Sequence, residues 1–258
     1  MEITASLVTY KNDPDILHSL LSSLMESKQV EIQLWVIDNS PTPSLEDFFT
    51  PYNFVNYYYN QGKNIGFGAA HNLALKQIKM SDYHIILNPD VFFEANVIDE
   101  LVNYIEANPD IGLISPKIFF PSGELQYLCK RYPSLLVLFA RRFIPKRFQR
   151  LVKKRLDWYE MRETGYDRAM DVPYLSGCFM FFRKQYLDEI GYFDENFFMY
   201  LEDADITLRM SQKYRAVFYP HVHIYHHWAK GSYKSLRLML ITIQSAFYFF
   251  QKHGLRII

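Results

Sequence analysis

The run ITASLVTYKNDPDILHSLLSSLMESKQVEIQLWVIDNS, Ile3 to Ser40, decides the class of fold. ITASLVTY reads as a strand, and DPDILHSLLSSLMES as an amphipathic helix with Asp13 placed to cap it and Pro14 at its first position. QLWVIDNS is a second strand, ending in polar residues where a parallel strand meets its loop. Short β-branched runs alternating with amphipathic stretches are the pattern of βα units on a mostly parallel sheet. The pattern continues through the strand FVNYYYN, the helix AAHNLALKQIK, the strand YHIILNPD, the helix NVIDELVNYIEANPD and the strand IGLISPKIFF. SGCFMFFR and AVFYP are later strands, and SLRLMLITIQSAFYFFQKHG is a long apolar C-terminal helix. Three strands finish in polar residues, Asp38-Asn39-Ser40, Asn60-Gln61 and Asn88-Pro89-Asp90. Ligands of open α/β sheets bind along that carboxyl edge.

The 258 residues, 49% of them hydrophobic, suit one sizeable domain with at most an appendage. Lys plus Arg and Asp plus Glu both total 28, so no global charge is directed at nucleic acid. Cys129 and Cys178 stand apart without CxxC spacing, the usage of a reducing compartment. MEITASLVTYKNDP lacks the basic and apolar regions of a signal peptide, and no apolar run is long enough to span a bilayer. The expected compartment is the cytoplasm. One segment is strongly polarised: RRFIPKRFQRLVKKR, Arg141 to Arg155, carries eight basic residues and no acidic one. It reads either as a solvated helix or as an interfacial segment drawn to anionic lipid, together with the C-terminal helix.

Candidate chemistry lies in five places. Asp38 closes an apolar strand ahead of two prolines, which suggests an exposed carboxylate able to accept from a nucleobase or sugar, or else a turn former. GKNIGFGAAHN brings Gly62, Gly66 and Gly68 before a helix, with Asn64 and Asn72 beside them, either to approach an anion or to make a tight turn. LNPDV delivers Asn88 and Asp90 to a strand end, where a carboxylate suits a hard divalent ion or caps a turn. HVHIYHHW offers His221, His223, His226 and His227, of which at most one of the last two faces the site if the strand persists. FFMYLEDADITLRM places Glu202, Asp203 and Asp205 on a helix after an aromatic run, more acids than a first turn needs for its dipole.

Taken together, LVTYKN, VIDNS, NIGFGAAHN, LNPDV, YLSGCFMFFRK, GYFDENFFMYLEDADITLRM and HIYHHWAKGS resemble, in order, the family 2 glycosyltransferases of GT-A fold, particularly the bacterial rhamnosyltransferase-like members. The match spans residues 3 to 232, implying a catalytic domain over 1–232 and a C-terminal amphipathic helix over 233–258. The resemblance implies donor contacts from Thr9, Tyr10, Asp38, Asn64, Gly66, Phe67, Asn72, Asn88 and Asp90. It makes Asp90 and His226 ligands of Mg²⁺ or Mn²⁺, Asp203 the catalytic base, and Gly177, Glu202 and Asp205 residues of the acceptor side. One departure stands out: the family's DxD motif is reduced to Asn88-Pro89-Asp90. The implied reaction is inverting transfer from a nucleotide-sugar, dTDP-L-rhamnose or a UDP-activated galactofuranose, glucose or N-acetylglucosamine. The implied acceptor is a polyprenyl-diphosphate-linked saccharide at the inner face of the cell membrane, in surface polysaccharide synthesis. A catalytically silent nucleotide-sugar-binding partner is the alternative class, and a metal phosphohydrolase would need more ligands than these segments supply.

Overall fold

Strand β1 (Ile3–Thr9) is buried at six of its seven positions, so its apolar run is the centre of a sheet covered on both faces. The computed structural model describes residues 1–27, 31–143, 149–227 and 235–256. Helix α1 (Pro14–Met25) starts as expected, with the Asp13 side chain accepting from the Asp15 amide at 3.0 Å, and buries Leu17, Leu20, Leu21 and Leu24. β2 (Ile32–Asp38), the short α2 (Glu46–Phe49), β3 (Val55–Tyr59), α3 (Phe67–Leu75) and β4 (Tyr83–Leu87) complete the first half. β5 (Val91–Phe93), α4 (Val97–Glu106), β6 (Ile111–Phe119), α5 (Leu135–Phe143), α6 (Gln149–Tyr159) and β7 (Met170–Asp171) follow. The chain then forms β8 (Phe179–Arg183), α7 (Lys184–Ile190), α8 (Glu202–Ser211), β9 (Arg215–His226) and α9 (Leu236–His253). Part of the basic segment, residues 144–148, lies outside the described residues.

The sheet runs β3-β2-β1-β4-β8-β6-β9-β5, with β7 also beside β9. β3, β2, β1 and β4 are mutually parallel, as are β6 and β9. β8 is antiparallel to both β4 and β6, and β5 and β7 to β9, so the second half is more mixed than the strand pattern suggested. The reversal has a local origin. The Asn88 amide, just past β4, donates to the Cys178 carbonyl at 3.0 Å, so β8 begins at the edge where β4 ends. β9 merges the expected AVFYP strand with the histidine segment, and its register against β6 slips between Tyr219 and His223. Pro220, which has no amide to donate, sits at that irregularity.

A buried polar chain ties α3 beneath the sheet. Ser6 Oγ lies 2.7 Å from His71 Nδ1 and 2.8 Å from His84 Nε2, and His84 Nδ1 lies 2.8 Å from Thr4 Oγ1. His71 Nε2 has no partner among the described residues. The arrangement that leaves no buried donor orphaned has His71 Nδ1–H donating to Ser6, Ser6 to His84 Nε2, and His84 Nδ1–H to Thr4. Burial pushes the His71 pKa down to about 3; burial, followed by the electrostatic influence of neighbouring His71 and Lys184, drives that of His84 well below its ordinary value.

Helix α9 is held against α8 by Phe249 and Phe250, which pack with Tyr174, Phe197, Leu201 and Ala204. A charged cluster reinforces this contact. Asp205 is fully buried and accepts from Arg209 Nε at 2.9 Å, Lys252 Nζ at 2.7 Å and His253 Nε2 at 2.7 Å. Asp205 was expected on the acceptor side; the structure instead makes it the buried anchor of α9, because Arg209, Lys252 and the His253 ring converge on a carboxylate without access to solvent. Lys252 also bonds Asp194 at 2.6 Å, and these two carboxylates raise its pKa against the opposing effect of burial.

Two outcomes are expected. Both buried histidines are neutral when folded and basic when unfolded, so stability is complete above about pH 6.5 and is lost as pH falls toward the folded values. Between pH 7 and pH 5 the urea unfolding free energy should drop by about 4 kcal/mol from this pair, and His71→Gln with His84→Gln should flatten that part of the slope. Asp205→Ala leaves its cations facing a buried gap and should destabilise the chain by about 3 kcal/mol in urea titration.

Candidate active site at the carboxyl edge

Parallel pairing sets Thr9, Asp38 and Tyr59 side by side at the strand ends. Asp38 has no exposed surface: its Oδ1 accepts from Thr9 Oγ1 at 3.1 Å and the Ser40 amide at 2.9 Å, and its Oδ2 from the Tyr57 hydroxyl at 2.7 Å. The expectation of an exposed carboxylate is therefore corrected, since hydroxyls on both neighbouring strands close over it. Burial, and then the Asp38 carboxylate, raise the Tyr57 pKa far above the usual range. Thr9 is also buried, while Tyr10 is exposed at the rim with its amide donating to Asn12 Oδ1 at 2.8 Å.

The loop into α3 is knitted by asparagines. Asn39 Nδ2 donates to the Gly66 carbonyl at 3.1 Å, Asn60 Nδ2 to Asn39 Oδ1 at 3.1 Å, and the Gly66 amide to Asn64 Oδ1 at 3.0 Å. Gly66 adopts φ +93°, and a Cβ there would stand 2.1 Å from the Phe198 carbonyl oxygen, which accepts from the Phe67 amide at 3.0 Å. Glycine is required by the close approach of the 198 backbone. Asn72 was expected to touch the donor. It is instead buried and spent, its Nδ2 donating to the Phe193 carbonyl and Glu195 and its Oδ1 accepting from the Phe193 amide.

β5 pairs with β9 so that Val91 lies opposite His226. This brings Asp90 Oδ1 within 3.4 Å of His226 Nε2, with Asn88 Nδ2 also 3.4 Å from that nitrogen. His226 is 4% exposed, whereas His227 is turned outward. Gln126, which carried no signal in the sequence, fixes the ring: its Oε1 lies 3.0 Å from His226 Nδ1 and its Nε2 donates to the His226 carbonyl at 2.6 Å. Gln126 Oε1 can only accept, so Nδ1 carries a proton, and Nε2 is the nitrogen turned toward Asp90. Burial works against the Asp90 charge, yet the His226 and His227 imidazoles hold its carboxyl below the ordinary value. One hard oxygen and one imidazole nitrogen are donor types that Mg²⁺ or Mn²⁺ accepts, and such an ion would take its remaining ligands elsewhere. Among the described residues no cluster of three or more such ligands forms.

The acid block enters through a strained turn. Tyr200 and Leu201 both hold left-handed backbone, at φ +71° and +67°, before α8 begins at Glu202. Non-glycine residues in this region cost about 1–3 kcal/mol each and persist where packing imposes them. Asp203 emerges half-buried, its Oδ2 accepting from the Gly177 amide at 3.0 Å and its Oδ1 from the Ala204 amide at 3.0 Å. A Cβ on Gly177 would lie 3.3 Å from Asp203 Cβ and 3.4 Å from the Phe67 ring, so Phe67, Gly177 and Asp203 form one wall. Glu202 is 5% exposed, its Oε2 has no partner among the described residues, and burial followed by the Asp203 charge raises its pKa well above the ordinary value.

Adjacent residues join the two clusters: Gly177 donates to Asp203 and Cys178 accepts from Asn88. The Cys178 thiol is in range of both centres; burial pushes its pKa up to about 12, with Asp90 and Asp203 adding to the rise. Asp90, His226 and Asp203 therefore share one edge of the sheet, and Asn72 and Asp205 serve packing.

Known proteins match this architecture. L-Rhamnosyltransferase acting on N-acetylglucosaminyl-diphospho-decaprenol, from Mycobacterium tuberculosis, is 27% identical over 241 residues, covering 87% of this chain and 76% of that protein. Rhamnosyltransferase WbbL of Escherichia coli is 24% identical over 205 residues, covering 76% and 72%. The mannosyltransferase PcManGT from Pyrobaculum calidifontis, solved with GDP-Man and Mn²⁺, superposes with a TM-score of 0.64 at 16% identity over 97% of this chain and 64% of its own. GalNAc-T7, solved with UDP, GalNAc and Mn²⁺, gives 0.64 at 15% identity over 87% and 43%. The chain thus spans less than two thirds of either solved chain, and the likeness identifies its mixed sheet and flanking helices as the GT-A fold. The model of glycosyl transferase family 2 matches residues 6–191, and the chain belongs to that family.

Proposed function

We propose that the chain is an inverting, metal-assisted glycosyltransferase that moves L-rhamnose from dTDP-L-rhamnose to a hydroxyl of a polyprenyl-diphosphate-linked saccharide at the inner face of the cell membrane. One observation carries the mechanism: of the three clustered acids, only Asp203 keeps an accessible carboxylate. Asp205 is consumed by Arg209, Lys252 and His253, and Glu202 is enclosed, its pKa raised well above the ordinary value by burial and then by the Asp203 charge. One accessible carboxylate, with its two neighbouring acids enclosed, suits one direct displacement. Asp203 takes the proton of the acceptor hydroxyl as that oxygen bonds the anomeric carbon, the bond to the diphosphate oxygen breaks, and the configuration inverts. The Gly177 amide aims this base, and the Phe67 ring beside it forms the wall of the sugar pocket.

Asp90 and His226 would hold Mg²⁺ or Mn²⁺, which when bound offsets the negative charge gathering on the departing nucleoside diphosphate. Rhamnose and the lipid-linked acceptor are supported by the names of the curated relatives, one of which acts on a decaprenol-linked sugar. A UDP-activated galactofuranose, glucose or N-acetylglucosamine is the alternative donor. A nucleotide-sugar-binding partner without turnover is a second reading, favoured by Asn88 where the family motif has a carboxylate.

Asp203→Asn should lower kcat by about 10²–10⁴ while KM changes little, followed by nucleoside diphosphate release from each candidate donor. An unchanged rate would remove Asp203 as base, and no release from any donor would favour the silent partner. Gln126→Ala should weaken Mn²⁺ binding by about 10–100-fold, read from free Mn²⁺ by electron paramagnetic resonance and independent of turnover.

A further inference from the structure

Helix α9 presents apolar residues on two sides. Its inner face packs Phe249 and Phe250 against α8 and sends Ser245 Oγ to the Met199 carbonyl at 2.7 Å. The opposite face carries Leu236, Leu240, Ile243 and Phe247, which are 76%, 63%, 49% and 74% exposed. At about 100° per residue these four fall within about 60° of arc, a stripe along the outer side of the helix. Helices packed on a protein normally turn polar residues outward. Here the outward side carries this apolar stripe, flanked by the exposed Arg237, Gln244 and Gln251, and LRLMLITIQSAFYFFQKH contains no acidic residue.

The surface continues onto α5 and α6. The Leu135 amide donates to the Arg256 carbonyl at 3.0 Å, and Leu138 packs with the Phe249 group, which seats α5 beside α9. α5 exposes Leu135, Leu136 and Phe139. α6, which packs on α5, exposes Arg150, Lys153 and Lys154, with Lys153 also pairing Asp157. At its far end Trp158 is exposed and flanked by the Arg131 and Arg155 guanidinium groups at 4.5 and 4.2 Å from its ring. An apolar stripe bordered by cations and an exposed Trp is the composition of a helix that lies in a bilayer interface. Among the described residues no helix is long and apolar enough to cross a membrane.

We infer that α9, with α5 and α6, docks the chain in plane on an anionic lipid bilayer, the stripe entering the acyl boundary and the α6 cations meeting headgroups. A second copy of the chain fits the same surface less well, because pairing it with itself sets basic faces against each other. The inference deepens the proposed reading, since a lipid-linked acceptor is met at such a surface.

Co-sedimentation of the full chain with phosphatidylglycerol–phosphatidylcholine vesicles, against phosphatidylcholine alone, tests it. The chain should bind the anionic vesicles preferentially and less tightly as salt rises. Leu240→Gln, Ile243→Gln and Phe247→Gln together should weaken binding by at least about tenfold. Arg150→Gln, Lys153→Gln and Lys154→Gln together should weaken it by a similar factor, about tenfold or more. The inference is overturned if the chain ignores anionic vesicles, or if both variants, with unchanged urea midpoints, bind as the parent does. It is also overturned if sedimentation velocity shows a lipid-free dimer that the apolar variant converts to monomer. Nucleoside diphosphate release with a water-soluble acceptor, in the absence of vesicles, reads the transfer reaction separately. Failure there with vesicle binding intact would count against the catalytic reading and leave the docking surface standing.

Discussion

The hydrogen bond from the Asn88 amide to the Cys178 carbonyl fixes where β8 begins, and most of the site follows from it. A parallel β8 would need its crossover to deliver it from the opposite edge of the sheet. Starting at the carboxyl end of β4, the strand instead brings Gly177 to the place where the Asn88-Pro89-Asp90 turn emerges. The Gly177 amide then has one partner within reach, the Asp203 carboxylate on α8. The Asp90–His226 pair and the Asp203 carboxylate are registered to each other through two consecutive residues, with no flexible side chain between the backbone groups that set their positions.

The sequence of the first half was readable because each element there is decided locally. An unbroken apolar strand, a capped helix with Pro14 at its start and another apolar strand leave few alternatives, and burial of β1 and α1 follows that pattern. The reversed course of β8 was not readable: FMFFR has no polarity of its own, and its direction comes from a bond to a residue ninety positions earlier in the chain. The same distance hid the fates of Asn72 and Asp205. Their side chains look available in the sequence, and their partners, Phe193 with Glu195 and Lys252 with His253, arrive from remote segments. Asp38 misled for another reason: flanking prolines suggested exposure, while Tyr57 and Thr9 on neighbouring strands cover it.

Of the chemistry itself, the types of residue were legible and their division of labour was not. Asp90 and His226 were both named, but which of two adjacent histidines turns inward depends on the phase of β9 after its irregularity at Pro220. Gln126 lies in a loop with no periodic signal, yet it decides which imidazole nitrogen turns toward Asp90. Three acids in four residues announced a functional turn; sorting them required knowing that one faces α9, one is enclosed and one meets a backbone amide.

The anchoring of α9 at its last turn has a mechanical meaning. Asp205 lies two residues beyond Asp203 on the same rigid helix, and its partners lie at the far end of the helix whose outer side is apolar. The position of α9 and the position of the Asp203 turn are therefore one coordinate rather than two. Whatever surface seats the outer helix also sets the height of the Asp203 carboxylate above it, so that height is a property of the scaffold and not of a moving loop.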